Sequence, residues 1–286
     1  VLAVRMNVSI VIPIYNTPKH ILERTLKSVA AQSYKDYEIV IVDDCDDDIP
    51  DDTIWFLADL HGVENLEVVT FSDHSGNIGQ VKRRGMMMAE GDLLLELDHD
   101  DVLHPRCLER IVAAATKYPD AGFYYTDYTE LIDGDPPIPR KYPEGWGFGF
   151  GSETWVGACW HIHTPPVNDT TVRHIVSMPN HARVWRAQAY RSLNGHNTSL
   201  RVADDYDLMV RTFLEYRFVH IPELLYYQYI QPTSAQLVYN AEIHRRVGQI
   251  NERYGGYITS RVQELGGGSQ LALVFDDTSG VLSAGA

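Results

Sequence analysis

The run Leu93-Leu94-Leu95-Glu96-Leu97-Asp98-His99-Asp100-Asp101 sends an apolar strand straight into a cluster of carboxylates. One residue separates Asp98 from Asp100. Alternate residues of an extended chain point the same way, so both side chains can face one ligand. Oxygen ligands of this kind suit Mg2+ or Mn2+, ions that also bind phosphate oxygens of a substrate. The competing reading is an acidic turn that caps the helix starting at Pro105. A second acidic group, Asp204, Asp205 and Asp207, stands where a helix begins, with Leu208, Met209, Phe213 and Leu214 on its apolar side. A helix N-terminus stabilises a carboxylate through its dipole, but capping needs one such group, not three. A third acidic pair, Asp43-Asp44, ends a β-branched run.

These groups need a scaffold, and the first 127 residues read as alternating strands and helices. Val8 to Ile14, Tyr37 to Val42, Leu66 to Thr70, Asp92 to Leu97 and Ala121 to Asp127 are short apolar runs of the buried-strand type. Helical spacing recurs after Thr17-Pro18, with Thr17 as N-cap, around Thr53 to Leu60, from Gln80 to Ala89 with Gly91 as C-cap, and from Pro105 to Tyr118. Strands joined by helices of about ten residues predict a parallel, doubly wound α/β sheet, in which ligands bind beyond the carboxyl ends of the strands. Asp44 and Asp98 therefore belong on one rim.

The middle is different. From about 133 to 180, Pro, Gly and aromatics dominate and regular periodicity is lost, as in Gly145-Trp146-Gly147-Phe148-Gly149-Phe150-Gly151 and His161-Ile162-His163-Thr164-Pro165-Pro166. Helices are expected again at Ala182 to Leu193, Asp204 to Tyr216 and Ala235 to Tyr254, with a strand at Arg217 to Leu225. The tail after Gly266-Gly267-Gly268 reads as disordered or as an edge strand. Residues 1–130 form one half, 131–235 a second half with a flexible aromatic loop, and 236–286 a helix and tail.

The chain has 286 residues, 44% of them apolar, enough to offset chain entropy in a folded domain. Its 24 basic and 39 acidic residues leave a net charge of −15, which disfavours nucleic acid and anionic membranes as partners. Cys45, Cys107 and Cys159 are widely spaced and odd in number, which reads as reduced thiols. No apolar stretch approaches membrane-spanning length and no signal-peptide layout precedes the first strand. The expectation is a cytoplasmic protein, free or peripheral at a membrane face.

The ordered set Ser9-Ile10-Val11-Ile12-Pro13-Ile14-Tyr15-Asn16, Ile39-Val40-Ile41-Val42-Asp43-Asp44, Asn77-Ile78-Gly79, Ala89-Glu90-Gly91-Asp92 and the Asp98 to Asp101 cluster resembles the family 2 glycosyltransferases, with their GT-A fold. The resemblance covers about residues 7–130. A second patch, Arg201 to Arg211, resembles that family's acceptor-side acidic motif. The resemblance implies that Pro13 and Tyr15 line a nucleotide-base pocket, that Asp44 accepts from uracil N3, and that Lys82, with Arg83 or Arg84 as substitutes, neutralises diphosphate. It implies Asp100 as direct metal ligand and Asp98 as partner of the ribose or of metal-bound water, with Mn2+ or Mg2+ as cofactor. Asp205 becomes the general base, Asp204 the fallback, and Asp207 a positioning group.

The implied reaction is transfer of a sugar from a UDP-sugar to a glycan or other hydroxyl acceptor. Attack opposite the leaving group inverts the anomeric configuration. Trp185 is expected to stack on a sugar or to pack under the acidic helix. The family often has a histidine where this chain has Gln231, and an arginine where it has Gln228; His181, His196 and His220 are candidate replacements. Two alternatives stand beside this reading: a nucleotidyltransferase using NTP and a sugar phosphate, and a non-catalytic nucleotide-sugar-binding module.

Overall fold

Val8, Ile10, Ile12 and Ile14 pack into one apolar core with Leu22, Leu26 and Val29, while Val11 packs into a second core with Val81 and Met86. That alternation makes the first strand a central one, buried on both faces. The computed structural model describes residues 5–44, 51–63, 65–71, 74–132, 147–153, 159–174, 178–231, 238–266, 271–275 and 282–285. The order is β1 (Val8–Ile14), α1 (Lys19–Ala30), β2 (Tyr37–Asp43), α2 (Asp51–Leu60), β3 (Leu66–Thr70), α3 (Ile78–Met88), β4 (Leu93–Glu96), β5 (Val102–Leu103), α4 (Cys107–Lys117) and β6 (Ala121–Leu131). A hairpin, β7 (Gly149–Glu153) and β8 (Cys159–His163), leads to α5 (Asp169–His174), β9 (Arg183–Arg186), α6 (Ala187–Ser192) and α7 (Asp204–Glu215). β10 (Arg217–Tyr229), a long helix α8 (Asn240–Glu264), β11 (Leu271–Phe275) and β12 (Leu282–Gly285) follow.

The strands form one sheet in the order β12-β11-β10-β6-β9-β4-β1-β2-β3, with β5 on β10, β8 on β6 and β7 on β8. The pairs β1–β2, β2–β3, β1–β4 and β6–β10 are parallel, as the doubly wound pattern predicts. β9 is antiparallel to both β4 and β6. The segment Ala182 to Leu193 is thus not one helix. Arg183, Val184 and Trp185 alternate between faces, with Val184 in one core and Trp185 in the other, and only Ala187–Ser192 is helical. The irregular middle also holds more order than its composition suggests, in β7, β8 and α5.

Two expected helix ends shift. Pro18, not Thr17, precedes α1, and the buried Thr17 hydroxyl caps nothing. Ala89, not Gly91, closes α3, whose start is capped by the Asn77 side chain accepting from Gln80 N at 3.1 Å. Cys107 and Cys159 are buried, whereas Cys45 and Trp146 lie outside the described residues. Among the described residues no helix is long and apolar enough to cross a membrane.

Candidate active site

Three parallel strands, β4, β1 and β2, lie side by side and deliver Asp98, Tyr15 and Asp44 just past their carboxyl ends. Asp44 is buried. Its Oδ1 accepts from Ser75 N at 2.8 Å and its Oδ2 from Ser75 Oγ at 2.9 Å, with His74 Nδ1 3.1 Å from Oδ2. Tyr15 is 47% exposed and stacks on His74, with ring centroids 4.2 Å apart. Tyr15 and Asp44 are therefore tied to one another through His74. Pro13 does not join them. It lies inside β1 opposite Val42 and is buried, so it shapes the strand end.

Glu96, the last residue of β4, is 1% exposed. A glutamate buried in an apolar strand is costly unless paired. Lys82 on α3 bonds directly to it and stands 3.4 Å from Asp98. Arg183 on β9 places Nη1 3.3 Å from Glu96 Oε1 and 3.0 Å from Asp205 Oδ2. His196 Nε2 lies 3.5 Å from Glu96 Oε2 and 3.9 Å from Asp204 Oδ2. Glu96 is thus the hub that joins the Asp98 loop to the start of α7. Burial alone would raise the Glu96 carboxyl; Lys82, His196 and Arg183 overcome that and hold it well below the usual range.

The two aspartates at the head of α7 differ. Burial pushes Asp204 up to about 6, against the pull of His196 and with the added push of Asp205. It is packed so closely on α3 that a Cβ at Gly79 would sit 2.8 Å from its Oδ2. Asp205, 22% exposed at its side chain, is held below its ordinary value, because Arg183 and then Lys82 outweigh its burial. Asp207 is elsewhere: it is buried and accepts from Arg211 Nε at 2.8 Å, while Arg211 also donates to Leu193 O and Gly195 O. That bracket fixes a loop and positions no substrate.

The Asp98 to Asp101 loop is pinned from both sides. Thr25 Oγ1 lies 2.8 Å from His99 O and 2.9 Å from Asp101 O, and Arg24 donates to Asp100 O. Asp101 is buried and accepts from Tyr226 OH at 2.6 Å and Tyr229 N at 2.7 Å. Burial, then its acidic neighbours, push its carboxyl well above the usual range, and Asp100 is raised for the same reasons. His181 stacks on Tyr226 at 4.2 Å; its buried Nδ1 has no hydrogen-bond partner. Burial and then the Arg183 charge lower it to about 3, which leaves the ring neutral.

Asp98, Asp101 and His181 each place a ligand atom within 4.8 Å of the others. Asp101, raised by burial, and Asp98, held below its ordinary value by Lys82 against its burial, stand beside a neutral imidazole whose Nδ1 has no hydrogen-bond partner, a set that fits a divalent cation. Asp100, expected as the direct ligand, is not part of this group, although its partly buried side chain stands two residues from Asp98.

Three further candidates lie away from the acidic centre. Of the two readings of Trp185, on a sugar or under the acidic helix, the structure supports the second: the ring is fully buried and its Nε1 donates to Thr212 Oγ1 of α7. Arg83 is turned from the acidic cluster and bonds Asn194 O and Oδ1, and Arg84 lies over Phe71. His220 serves Asp127, not the Asp98 loop. Gln228 Oε1 accepts from Asn180 Nδ2, beside His181. The residues that sequence reasoning passed over are Glu96 and Arg183. Glu96 had a signal, a lone charge inside an apolar run; Arg183, at the start of a strand with an arginine at each end, had none.

The model of a family described as glycosyl transferase family 2 matches residues 9–164. An uncharacterized protein of Sinorhizobium fredii, y4gI, is 26% identical over 232 residues, which is 80% of this chain and 23% of that protein. Chondroitin synthase of Escherichia coli is 27% identical over 220 residues, 77% of this chain and 28% of the synthase. The chain thus spans about a quarter of the length of these relatives. Among solved structures, S. aureus TarS 1-349 in complex with UDP-GlcNAc superposes with a TM-score of 0.64 at 18% identity, covering 91% of this chain and 73% of that one. The mannosyltransferase PcManGT from Pyrobaculum calidifontis, in complex with GDP-Man and Mn2+, gives 0.59 at 14% identity, covering 90% and 70%. Both likenesses are of fold, the GT-A type.

Proposed function

Because the chain belongs to glycosyl transferase family 2, we propose that it moves a sugar from a UDP-sugar to an acceptor hydroxyl with inversion at the anomeric carbon. The observation that carries this reading is the Glu96–Arg183–Asp205 bridge, which joins the two acidic motifs into a single charged centre. Asp205 is ionised, partly exposed and aimed into that centre. It takes the proton of the acceptor hydroxyl as that oxygen attacks C1 of the donor sugar. The C1–O bond to the diphosphate breaks, and UDP departs with the bonding pair. No covalent sugar–enzyme intermediate is needed. Asp204, wedged against Gly79 and part-protonated near neutral pH, positions the turn that presents Asp205.

Lys82, charged and lodged between Glu96 and Asp98, is the protein's own cation beside the diphosphate. A divalent cation, Mn2+ or Mg2+, held by Asp98 with His181 and Asp101, and with Asp100 at its rim, would neutralise the leaving group further. Tyr15 and Asp44 take the uracil, by stacking and by accepting its N3 hydrogen. Residues 1–130 serve the donor and 131–235 the acceptor, with the cytoplasm as the setting. The solved complexes of similar fold with UDP-GlcNAc and with GDP-Man and Mn2+ support a nucleotide-sugar donor.

The test is a panel of UDP-sugars incubated with the protein and Mn2+, reading free UDP. Slow hydrolysis of one donor, abolished by EDTA, is expected. A thermal shift without UDP release would identify a binding module instead, and pyrophosphate release from an NTP with a sugar phosphate a nucleotidyltransferase.

A further inference from the structure

His161-Ile162-His163 forms most of β8, and the strand beside it, β7, carries Gly149 opposite His163 and Gly151 opposite His161. The spacing is not neutral. A Cβ at Gly149 would lie 2.8 Å from His163 Cδ2, and one at Gly151 would lie 3.3 Å from His161 Cβ. The glycine at each position leaves room for an imidazole. Ile162 pairs with Tyr128 of β6 and joins the core on one face, so both histidines project to the other. There they meet Asp127, which is 0% exposed.

Both rings converge on one oxygen. His161 Nε2 lies 2.8 Å and His163 Nδ1 3.1 Å from Asp127 Oδ2, with the ring centroids 3.9 Å apart. The other oxygen is occupied separately: Oδ1 has His220 Nε2 at 2.7 Å and accepts from Thr164 N at 2.9 Å. His220 is itself stacked on Tyr125 at 4.8 Å. Burial would raise the Asp127 carboxyl, but the His161 and His220 hydrogen bonds outweigh it and keep the group ionised. The arrangement is a buried carboxylate, oriented through one oxygen by two fixed partners, with two imidazoles gathered on the second. The three potential ligand atoms lie within 4.8 Å of one another.

We propose that Asp127, His161 and His163 form a second metal site, selective for zinc. Two imidazole nitrogens and one carboxylate oxygen favour a borderline transition ion over Mg2+ or Mn2+, which prefer all-oxygen shells. Bonds of about 2.0–2.1 Å in a tetrahedral site set ligand atoms about 3.3 Å apart; the two nitrogen–oxygen separations here are 2.8 and 3.1 Å. The His163 side chain is 46% exposed, so one coordination position opens to solvent. His220 acts from outside, orienting the carboxylate. The ion would staple the β7–β8 hairpin to β6. It would do so next to β9, because Ala182 N donates to Thr126 Oγ1.

The experiment titrates zinc into tag-free protein against a chromophoric chelator, with excess Mg2+ present to occupy the oxygen-rich site. One tight equivalent is expected. His161→Ala and His163→Gln should each weaken it at least about 100-fold, and Asp98→Asn should leave it in place. Cobalt in the same titration should give the intense visible bands of a tetrahedral N,O site. His163→Gln alters a half-exposed ring, so it tests the ligand set even if His161→Ala fails to fold. No tight equivalent, equal zinc affinity in His163→Gln, or loss of zinc in Asp98→Asn would overturn the proposal. The first of these results would leave a purely hydrogen-bonded cluster. None of them bears on sugar transfer, which is read separately by UDP release.

Discussion

Arg183 Nη1 lies 3.0 Å from Asp205 Oδ2, and the same nitrogen is 3.3 Å from Glu96 Oε1. One guanidinium from a central strand thus neutralises a buried glutamate and holds the candidate base ionised. Replacing Arg183 by Met removes the group that lowers Asp205. The Asp205 carboxyl then rises, and the acid limb of the kcat–pH profile should move to higher pH. The protein should also lose about 3–5 kcal/mol of stability, since Glu96 is left buried with one partner fewer. An acid limb that stays in place would separate Arg183 from the base.

Asp205→Asn should lower kcat at least about 100-fold, the usual scale for losing a general base. UDP affinity, read by calorimetry, should stay within about twofold. Retained turnover would assign proton removal to another group.

Asp204 carries a pH signature of its own. Its carboxyl is raised to about 6 from an unfolded value of 3.8. Stability from this group is therefore complete below about pH 4 and is lost as pH rises through about 6. Asp204→Asn cannot ionise, so its Tm relative to wild type should climb between pH 4 and 6 and level off above. Parallel Tm curves across that range would mean that the carboxyl titrates normally.

His181 separates a ligand from a packing residue. If its unused Nδ1 supports the cation, His181→Ala should weaken Mn2+-dependent UDP binding about tenfold or more and leave metal-free binding unchanged. Equal losses with and without Mn2+ would reduce His181 to a partner of the Tyr226 ring. Asp98→Asn should act in the same direction and more strongly.

Asp44→Ala should weaken UDP by about 10- to 100-fold, the scale of a hydrogen bond to a charged acceptor. GDP should be affected less. An equal loss for both would show that Asp44 acts by holding Ser75 and His74 in place.

The first 130 residues were legible because most of their strands are short, nearly continuous apolar runs, and each helix repeats every three to four residues. Val8–Ile14 and Leu66–Thr70 coincide with the expected limits. β9 was hidden because four residues, Arg183 to Arg186, are too few to show a strand period beside the helical spacing that follows. The acidic motifs were legible as carboxylates out of place. Their partners were not: Lys82 on α3, Arg183 on β9 and His196 in the loop between α6 and α7 are far apart in sequence, and only the folded sheet brings them to Glu96. Trp185 and Asp207 show the opposite limit. Their types suited a site, but a neighbouring helix claimed one and an arginine four residues on claimed the other.

The antiparallel insertion of β9 between β4 and β6 has a consequence for how the chain can be cut. Without it, the leucines of β4 form an unpaired, flat and apolar margin, the kind of surface that recruits other chains. A fragment ending near residue 180 keeps every donor-side motif yet leaves that margin bare, so it should be recovered as aggregate. One extended to about residue 266, which closes the sheet with β9 and β10 and keeps α8 on the second core, should stay in solution. The smallest independent piece of this protein is thus set by the closing of its sheet together with the last helix that covers its core.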